Sequence, residues 1–593
     1  MTRYQIGSQL PASHYFDVSI RIDRPDPAGQ ALRLPNWIPG SYMIRDFARN
    51  LLDLQARGPG GALAIEQVDK SNWRVAPCDG ALEISYRVYA NDLSVRAAHL
   101  DHTHGYYNGT SVFLEVVGQS GQPCEVLIEK PAPAECEGWR VATSLPRKQA
   151  DAYGFGMYQA ADYDDLIDHP VEMGDFTLVS FEACGVPHDV ALTGRFDCDG
   201  ERLAADLKAI CEYHIRFWGE PAPMDYYLFQ VMVVGDGYGG LEHRASTSLV
   251  AKRDSLPKPG QEGVSDDYRD FLGLCSHEYF HTWNVKRIKP AVYRPYDLQA
   301  EVYTDLLWAF EGITSYYDDL ALLRAGLIEP QSYLELFAQT MTRVQRGLGR
   351  TRQSAAESSF NTWTKFYKQD ENAANAIVSY YAKGSLIAAC IDLKLRALSQ
   401  GRTSLDDVMR ALWRGYLDGD TGVERDTIQR LVSELAGQDL GGFLERMIYA
   451  TDELPLEEML GEAGIEVTRR VATGSGDRGG KPANGALPLA DLSAAFKDGD
   501  NGLTLLRVSE QGALQRAGLS AGDVIVAVDG LRLNLPALEE RLQRAHAGDR
   551  WQLHAFRRDE LHCFDVELQA ASESTYVLAV ADAERARTGW LGV

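Results

Sequence analysis

Two histidines and a glutamate, spaced for chemistry at a metal ion, stand close together in the segment Ser276–His281. Residues four apart lie above one another on a helix, so His277 and His281 can present two imidazoles to one point. Glu278 is placed to reach a water bound to the same metal without being a ligand itself. The flanking residues are apolar, which favours a buried helix. The sequence therefore predicts two metal ligands and a general base on one helix.

A catalytic metal held in this way needs a third protein ligand and an open fourth position. The best donor downstream is Glu311, within residues 307–317, where apolar and aromatic side chains recur at helical spacing. A carboxylate in such a helix is costly unless it is paired or bound to metal. Pro290 and Pro295 interrupt the chain, so Glu311 can fold back against the histidines. A solvated helix position or a buried salt bridge are the alternatives for Glu311.

Two further segments extend the pattern. Gly237–His243 resembles the Gly-x-Met-Glu-Asn exopeptidase motif, and Tyr380–Gly384 resembles a Tyr-x-Lys-Gly helix. With the histidine motif and Trp308–Gly312, all four segments resemble the gluzincin zinc peptidases of the aminopeptidase N type, in the same order. His243 replaces the final Asn, and the third ligand lies further downstream than in that group. These departures and a PDZ-like C-terminal segment resemble the glycyl aminopeptidase family better.

The resemblance implies one Zn²⁺ per chain, held by the two histidines and Glu311. Zinc with two neutral imidazoles and one carboxylate keeps a positive charge and lowers the pKa of its water to about 7. Glu278 would accept the proton of that water. Tyr381 is the candidate donor to the oxyanion, with the neighbouring Tyr380 as a competing choice and a core aromatic as the alternative.

The segment before the metal motif carries a candidate substrate site. Glu242 can hold the α-ammonium group of a peptide, while Gly239 and Gly240 let the substrate backbone approach closely. A fixed anion there leaves room for one residue before the metal, which would make the enzyme an aminopeptidase. The alternatives are a loop carboxylate, or a Glu242 paired with His243.

Composition predicts a large multidomain enzyme. The 593 residues are 45% hydrophobic and 24% charged, and the net charge of −25 argues against nucleic acid or an anionic membrane as a partner. The sequence contains no run of eighteen apolar residues, so no membrane span is predicted. Residues 1–8 lack an export signal, so we expect a cytoplasmic location, with a periplasmic one as the alternative. The nine scattered cysteines contain no C-x-x-C pair and indicate neither a disulfide framework nor a thiolate zinc site.

The patterning along the chain predicts a multidomain α+β fold. Residues 1–180 alternate in short runs typical of an all-β sandwich. Residues 181–470 turn from mixed to helical, and the resemblance implies a thermolysin-like catalytic domain with a helical part. A linker follows at 471–487. Residues 488–575 closely resemble a bacterial PDZ domain, most specifically at Ala517–Ile525.

Hydrophobic periodicity predicts several individual elements. We expect a helix over Leu203–Trp218, a buried strand over Tyr226–Val234, and an edge strand at Gly237–His243. Further helices are predicted around 331–349, 376–398, 404–417 and 425–436. The aromatic segment 37–46 could line a cleft or form a sandwich edge. His102 and His104 have metal-ligand spacing but no carboxylate or helix beside them.

Three functions remain open from the sequence. The first is a zinc aminopeptidase acting on peptides with a free N-terminus, for which the resemblance implies small first residues such as Gly or Ala. The second is a zinc endopeptidase or quality-control protease to which the PDZ domain delivers substrates. The third is a non-catalytic PDZ scaffold, which the intact set of metal ligands, base and tyrosine argues against. The PDZ ligand would be an extended peptide, a C-terminus, or the protein's own catalytic domain.

Overall fold

A computed structural model describes residues 2–419 and 422–592. The chain forms two compact units, one of Met1–Val302 with Trp413–Gly422, the other of Tyr303–Leu412 with Val423–Val593.

The N-terminal part of the first unit is β-rich, as predicted. Its three sheets have the strand orders β14-β12-β1-β2-β8-β4-β5, β13-β15-β10-β9 and β11-β3-β7-β6. Strands with alternating sequence bury every second residue, so β8 buries Leu82, Ile84, Tyr86 and Val88. The elements are β1 (Thr2–Gly7), β2 (Tyr15–Ile22), β3 (Ala31–Arg33), β4 (Leu51–Gly58), β5 (Gly61–Leu63), β6 (Ile65–Gln67), β7 (Asn72–Val75), β8 (Leu82–Tyr89), β9 (Ala98–Leu100), β10 (His104–Tyr107), α1 (Gly109–Val112), β11 (Glu115–Val116), β12 (Cys124–Ile128), β13 (Arg140–Ala142), β14 (Gly156–Ala160), α2 (Tyr163–Ile167) and β15 (Val171–Gly174).

A mixed five-stranded sheet follows in the order β16-β17-β18-β20-β19, with β19 at its edge, as predicted. Strands β17, β18 and β20 run parallel, and β16 and β19 are antiparallel to their neighbours. The helix that carries the metal motif, α4, begins after Ser265, whose side chain accepts a hydrogen bond from the Tyr268 N–H. The elements are β16 (Thr177–Ala183), β17 (Val186–Thr193), α3 (Gly200–Trp218), β18 (Tyr227–Val234), β19 (Gly239–Glu242), β20 (Ser246–Lys252) and α4 (Asp266–Phe280).

The chain is then mainly helical, and the predicted helices are present. The segment around Glu311 differs from the single helix expected, because two helices meet there with Glu311 at the junction. The segment Ala373–Ser399 is long and apolar enough to span a membrane. However, 78% of its 18-residue apolar stretch is buried in the fold, as in a core helix. The helices are α5 (Leu307–Phe310), α6 (Gly312–Arg324), α7 (Pro330–Arg346), α8 (Ala355–Phe360), α9 (Ala373–Ala376), α10 (Tyr380–Ser399), α11 (Leu405–Leu417), α12 (Thr427–Ala436), α13 (Gly441–Ile448) and α14 (Leu456–Glu462).

The C-terminal domain of the second unit has the strand order β23-β24-β25-β27-β28, with β26 beside β25. A hydrophobic core of its own includes Leu503, Ile525 and Leu553. The elements are β21 (Ile465–Arg470), β22 (Ala490–Asp491), β23 (Ala494–Gly499), β24 (Gly502–Val508), α15 (Ala513–Arg516), β25 (Val524–Val528), β26 (Leu531–Arg532), α16 (Leu535–Leu542), β27 (Arg550–Arg557), β28 (Glu560–Glu567), β29 (Gln569–Ala570), β30 (Thr575–Val580) and α17 (Ala583–Ala586).

This domain is an insertion, which the sequence analysis did not foresee. Strand β30 returns after it to pair with β21. The segment 471–487, expected to be a flexible linker, is held by hydrogen bonds such as Arg346 Nη1 to the Asp477 carbonyl at 2.6 Å. Beyond β30, Trp590 is fully buried and donates to the Tyr316 hydroxyl at 2.9 Å. The residues after the inserted domain therefore belong to the helical part.

Candidate metal centre

The two histidines of the motif converge as the helical spacing predicts. The Nε2 atoms of His277 and His281 lie 3.1 Å apart. His281 stands at the C-cap of α4, and its Nδ1 lies 2.6 Å from the Asn284 carbonyl. Because Nδ1–H donates to that carbonyl, the lone pair of Nε2 remains for a metal. Two nitrogens bound tetrahedrally to Zn²⁺ at about 2.0–2.1 Å stand about 3.3 Å apart, so this pair fits the ion.

Glu278 points toward the edge strand β19. A Cβ placed on Gly240 would lie 2.1 Å from Glu278 Oε1, so only glycine leaves room for this carboxylate. Gly239 has no such neighbour, since the nearest atom to its Cβ position is Arg96 Nη1 at 3.9 Å. Arg96 also donates to the Gly240 carbonyl at 3.3 Å. The glycine pair therefore has one position that accommodates the Glu278 carboxylate and one that leaves the strand edge open.

Glu242 ends the same strand and is buried, with 4% of its surface exposed. Its Oε1 has no hydrogen-bond partner among the described residues. Ligand-type atoms of Glu242, Glu278 and His281 lie within 4.8 Å of one another. A buried carboxylate oxygen without a donor is unfavourable unless a cation or ammonium group binds it. The arrangement can hold a positive charge next to the histidines.

A loop of the N-terminal domain also reaches Glu242. Gly40, with φ of +91°, lies so close that a Cβ would stand 2.5 Å from either carboxylate oxygen. The loop is anchored by Trp37, whose Nε1 donates to the Asp297 carbonyl at 2.8 Å. The aromatic segment 37–46 therefore packs inside the first unit and brings backbone to the carboxylate. The sequence signalled this segment by its aromatic density but gave no reason to link Gly40 to Glu242.

Asp168 is a residue that the sequence analysis missed. It accepts from Lys286 Nζ at 2.7 Å, from His243 Nδ1 at 3.1 Å and from the Arg244 N–H at 3.1 Å. Burial would raise the pKa of Asp168, but Lys286 and Arg244 hold it well below its usual value. The Nδ1 hydrogen bond of His243 thus goes to Asp168 rather than to Glu242. Asp168 ties the end of β19 to the turn after α4, and no local pattern at residue 168 could have revealed it.

In the second unit, Glu311 is 2% exposed and lies at the junction of α5 and α6. The glycines of the two motifs explain how these helices pack. A Cβ on Gly312 would lie 2.5 Å from the Gly384 Cα, and a Cβ on Gly384 would lie 2.6 Å from the Trp308 carbonyl oxygen. Glycine at both positions therefore allows α6 and α10 to touch along their backbones. This contact sets Glu311 beside the start of α10.

The structure distinguishes the two tyrosines on α10. Tyr380 is fully buried and its hydroxyl pairs with Thr362 Oγ1 at 3.0 Å. Tyr381 is half-buried and stacks on Phe366 with ring centroids 5.5 Å apart. Desolvation, followed by the charge of Glu311, raises the pKa of Tyr381 well above 10. Tyr381 therefore keeps its proton at neutral pH and can donate a hydrogen bond, while Tyr380 is committed to the core.

A second cluster of metal-ligand types lies in the N-terminal domain, and the expectation of no carboxylate beside His102 and His104 is wrong because Asp101 belongs to it. Atoms of His99, Asp101 and His104 stand within 4.8 Å of one another, and His102 is exposed and outside the group. Asp101 Oδ1 already accepts from the Thr103 N–H and hydroxyl, both at 2.6 Å. The carboxylate thus shapes the turn before β10.

Three family models match parts of this chain. The Peptidase M61 N-terminal domain model matches residues 3–175, the M61 glycyl aminopeptidase model residues 270–387, and a PDZ domain model residues 490–568. The crystal structure of an aminopeptidase N family protein from Idiomarina loihiensis is 42% identical with a TM-score of 0.96, covering 100% of both chains. This chain belongs to the M61 glycyl aminopeptidase family.

Other likenesses are weaker. An M1 zinc metallopeptidase from Deinococcus radiodurans aligns at 13% identity and a TM-score of 0.47, over 77% of this chain and 94% of that one. No curated protein matches at a significant level. For this M61 family member, the predicted family, multidomain α+β fold, C-terminal PDZ domain and aminopeptidase-type enzyme class are confirmed at the level of the family. The roles of individual site residues and the domain boundaries at 180, 470 and 488 stay predictions.

Proposed function

We propose that this protein is a zinc-dependent aminopeptidase that removes small N-terminal residues, such as Gly or Ala, from peptides. The observation that carries the proposal is the buried Glu242 Oε1, which has no donor among the described residues and lies within 4.8 Å of ligand-type atoms of Glu278 and His281. So short a separation between an anion and the histidines leaves room for a single substrate residue. An N-terminal ammonium group is the cation that such a site would bind.

One zinc ion per chain is proposed, with His277, His281 and Glu311 as ligands. The donor set, two neutral imidazoles and a carboxylate, is that of catalytic zinc sites. When bound, the ion would supply Lewis-acid activation of a water and of the scissile carbonyl. The buried position of Glu311 in an aromatic environment supports its role.

The remaining steps belong to protein side chains. Glu278 accepts the proton of the attacking water and passes it to the leaving amine. Tyr381, kept protonated, donates a hydrogen bond that strengthens as negative charge develops on the carbonyl oxygen. Glu242 fixes the α-ammonium, and the open edge of β19 at Gly239 can pair with the substrate backbone.

The C-terminal domain supports a second binding role. Strand β23 forms the edge of its sheet and packs near α16, which is the strand–helix arrangement in which PDZ domains take up an extended peptide. We propose a peptide segment or a C-terminus as its ligand.

Metal content tests the zinc assignment. We expect one zinc per chain, loss of activity on chelation and recovery on adding Zn²⁺. His277→Ala and Glu311→Gln should each weaken zinc binding by at least about 100-fold, as judged by competition with a chelating dye. The matched controls are exposed residues of the same types, His546→Ala and Glu329→Gln, which should bind like wild type. Full activity in metal-free protein would refute the proposal, and unchanged affinity in Glu311→Gln would remove Glu311 as a ligand.

A further inference from the structure

A cavity of about 390 Å³ lies in the helical part of the second unit. We call it the α7–α10 cavity, because Met341 and Val344 of α7 and Leu386 of α10 form its apolar wall. The loop before α14, at residues 452–455, and strands β21 and β30 complete the lining. Its volume is in the range of small-molecule sites, which combine apolar walls with a few polar groups.

The polar group that stands out is Lys383. Its side chain lines the cavity, is 2% exposed, and its Nζ has no hydrogen-bond partner among the described residues. A buried ammonium group is strongly unfavourable without an anion to pair with. Burial lowers the pKa of Lys383, while Glu453 and Asp452 act in the opposite direction. These carboxylates are therefore near the ammonium group without bonding to it.

Most other charges around the cavity are already paired. Arg350 Nε bonds Glu453 Oε1 at 3.1 Å, and Arg469 pairs with Glu457. Among the described lining residues this leaves Lys383 inside and the exposed carboxylates of Asp452 and Glu458 at the rim. Of these two carboxylates, Asp452 is the one whose charge acts on Lys383. An unpaired cation with the unpaired carboxylate of Asp452 near it, beside an apolar wall, matches a small zwitterion with an apolar side chain.

The cavity is distinct from the site of Tyr381. Both residues are on α10, but two positions correspond to about 200° around a helix, so their side chains leave opposite faces. None of the proposed zinc ligands lines the cavity. The inference therefore does not depend on the proposed function.

We propose that the α7–α10 cavity binds a free α-amino acid with an apolar side chain. Lys383 Nζ donates to its carboxylate, Asp452 accepts from its ammonium group, and Met341, Val344 and Leu386 cover its side chain. Recognition needs both charges at once, which separates this ligand from simple anions.

Calorimetric titration of the zinc-loaded full chain with L-leucine tests the site. Lys383→Met should weaken leucine binding about 10-fold or more, because a charge-assisted hydrogen bond is lost. The matched control is Lys394→Met, on the same helix and outside the cavity, which should bind as wild type does. Glu242→Gln should also leave this binding unchanged, which separates it from any binding beside the histidines. Leucinol and N-acetyl-leucine, each lacking one charge and neither cleavable as a free-amine amide, should bind about 10-fold more weakly than leucine.

Removing a buried charge can only be interpreted if the variant folds, so circular dichroism accompanies Lys383→Met. Asp452 is exposed, so Asp452→Asn gives an independent test. This variant should bind leucine several-fold more weakly and N-acetyl-leucine with unchanged affinity. No leucine binding to wild type at about 10 mM, or an unchanged affinity in Lys383→Met, would overturn the proposal. If inorganic phosphate or N-acetyl-leucine bound as tightly as leucine, the cavity would be a general anion site, and the amino-acid proposal would be overturned.

Discussion

At the scale of single residues, the chemistry depends on carboxylates and imidazoles whose protonation and direction are fixed by neighbours. Asn284 orients His281 through its carbonyl, Gly240 makes room for Glu278, and Asp168 holds the end of the strand that carries Glu242. Each of these contacts acts on a functional group without being part of the reaction. The site is therefore sensitive to residues that the chemistry itself does not require.

The paired tyrosines of α10 give a sharp test at this scale. Tyr381→Phe removes the proposed oxyanion donor, so kcat should fall about 10²- to 10³-fold with little change in KM. Tyr380→Phe is the matched control: it loses the bond to Thr362, which should cost about 1 kcal/mol of stability and leave kcat near wild type. Steady-state kinetics and melting curves measure both effects. The reverse pattern would assign the donor role to Tyr380.

The sequence predicted most of the proposed site residues because their spacing is a property of one helix or one strand. His277, Glu278 and His281 are related by a single helical turn, and Gly240 and Glu242 by one strand. Gly40 and Asp168 could not be predicted, since long-range folding alone brings them to Glu242 and His243.

At the scale of secondary-structure elements, α4 is held by buried histidines of its neighbours. His188 on β17 accepts from the Tyr279 hydroxyl at 2.9 Å, and His214 on α3 pairs with Ser276 Oγ at 2.9 Å. Both histidines are fully buried. Burial lowers the pKa of His188 to about 4 and that of His214 to about 3. The helix with the metal motif thus rests on two imidazoles that must stay neutral.

Lowering the pH should therefore reduce the free energy of unfolding of the first unit. The unfolded chain binds protons at these histidines near pH 6.5, whereas the folded chain does so only near pH 4 and 3. Between these values the unfolded state binds more protons, so stability falls as pH falls, by up to about 1.4 kcal/mol per histidine and pH unit. Melting temperatures of chelator-treated protein from pH 8 to 5 measure the slope. His188→Gln with His214→Gln should flatten it, and the exposed His546→Gln should not. An unchanged slope in the double variant would contradict this account.

The boundary between α5 and α6 at Glu311 could not be predicted from the periodicity of the sequence. Residues 307–317 have one continuous helical periodicity, yet the structure divides them at Glu311. The cause is tertiary: α6 and α10 touch at Gly312 and Gly384, and this contact is invisible to local periodicity.

At the scale of the whole molecule, the chain leaves the helical part after β21, builds the PDZ domain and returns through β30. Asn375 links the helical part of the second unit to the PDZ domain. Its side chain donates to the Val508 carbonyl at 3.0 Å and accepts from the Glu510 N–H at 3.0 Å. The string at Ala517–Ile525 identified the domain correctly but could not show the return, because pairing of β21 with β30 joins segments more than one hundred residues apart.

The insertion predicts different outcomes for two deletions. Ala490 pairs with Ala570, so residues 490–570 can be replaced by a short Gly-Ser linker without strain. That variant should melt cooperatively and cleave small substrates at rates within a few-fold of wild type. Truncation after residue 470 removes β30 and the buried Trp590, and loss of such a side chain alone costs about 3–5 kcal/mol. Calorimetry and activity assays compare the two. Equal loss of folding in both would contradict the insertion. Activity on N-blocked peptides that is lost on excision, with small-substrate activity retained, would favour PDZ delivery of substrates.

The most direct measurement is hydrolysis of Gly-p-nitroanilide and its N-acetylated form by zinc-loaded wild type, Glu242→Gln and Glu278→Gln. The account predicts cleavage of the free-amine substrate only, a raised KM in Glu242→Gln, and a kcat about 10²- to 10⁴-fold lower in Glu278→Gln. Equal cleavage of both substrates by wild type would contradict the aminopeptidase assignment and favour an endopeptidase. Undiminished activity in Glu278→Gln would contradict the proposed general base.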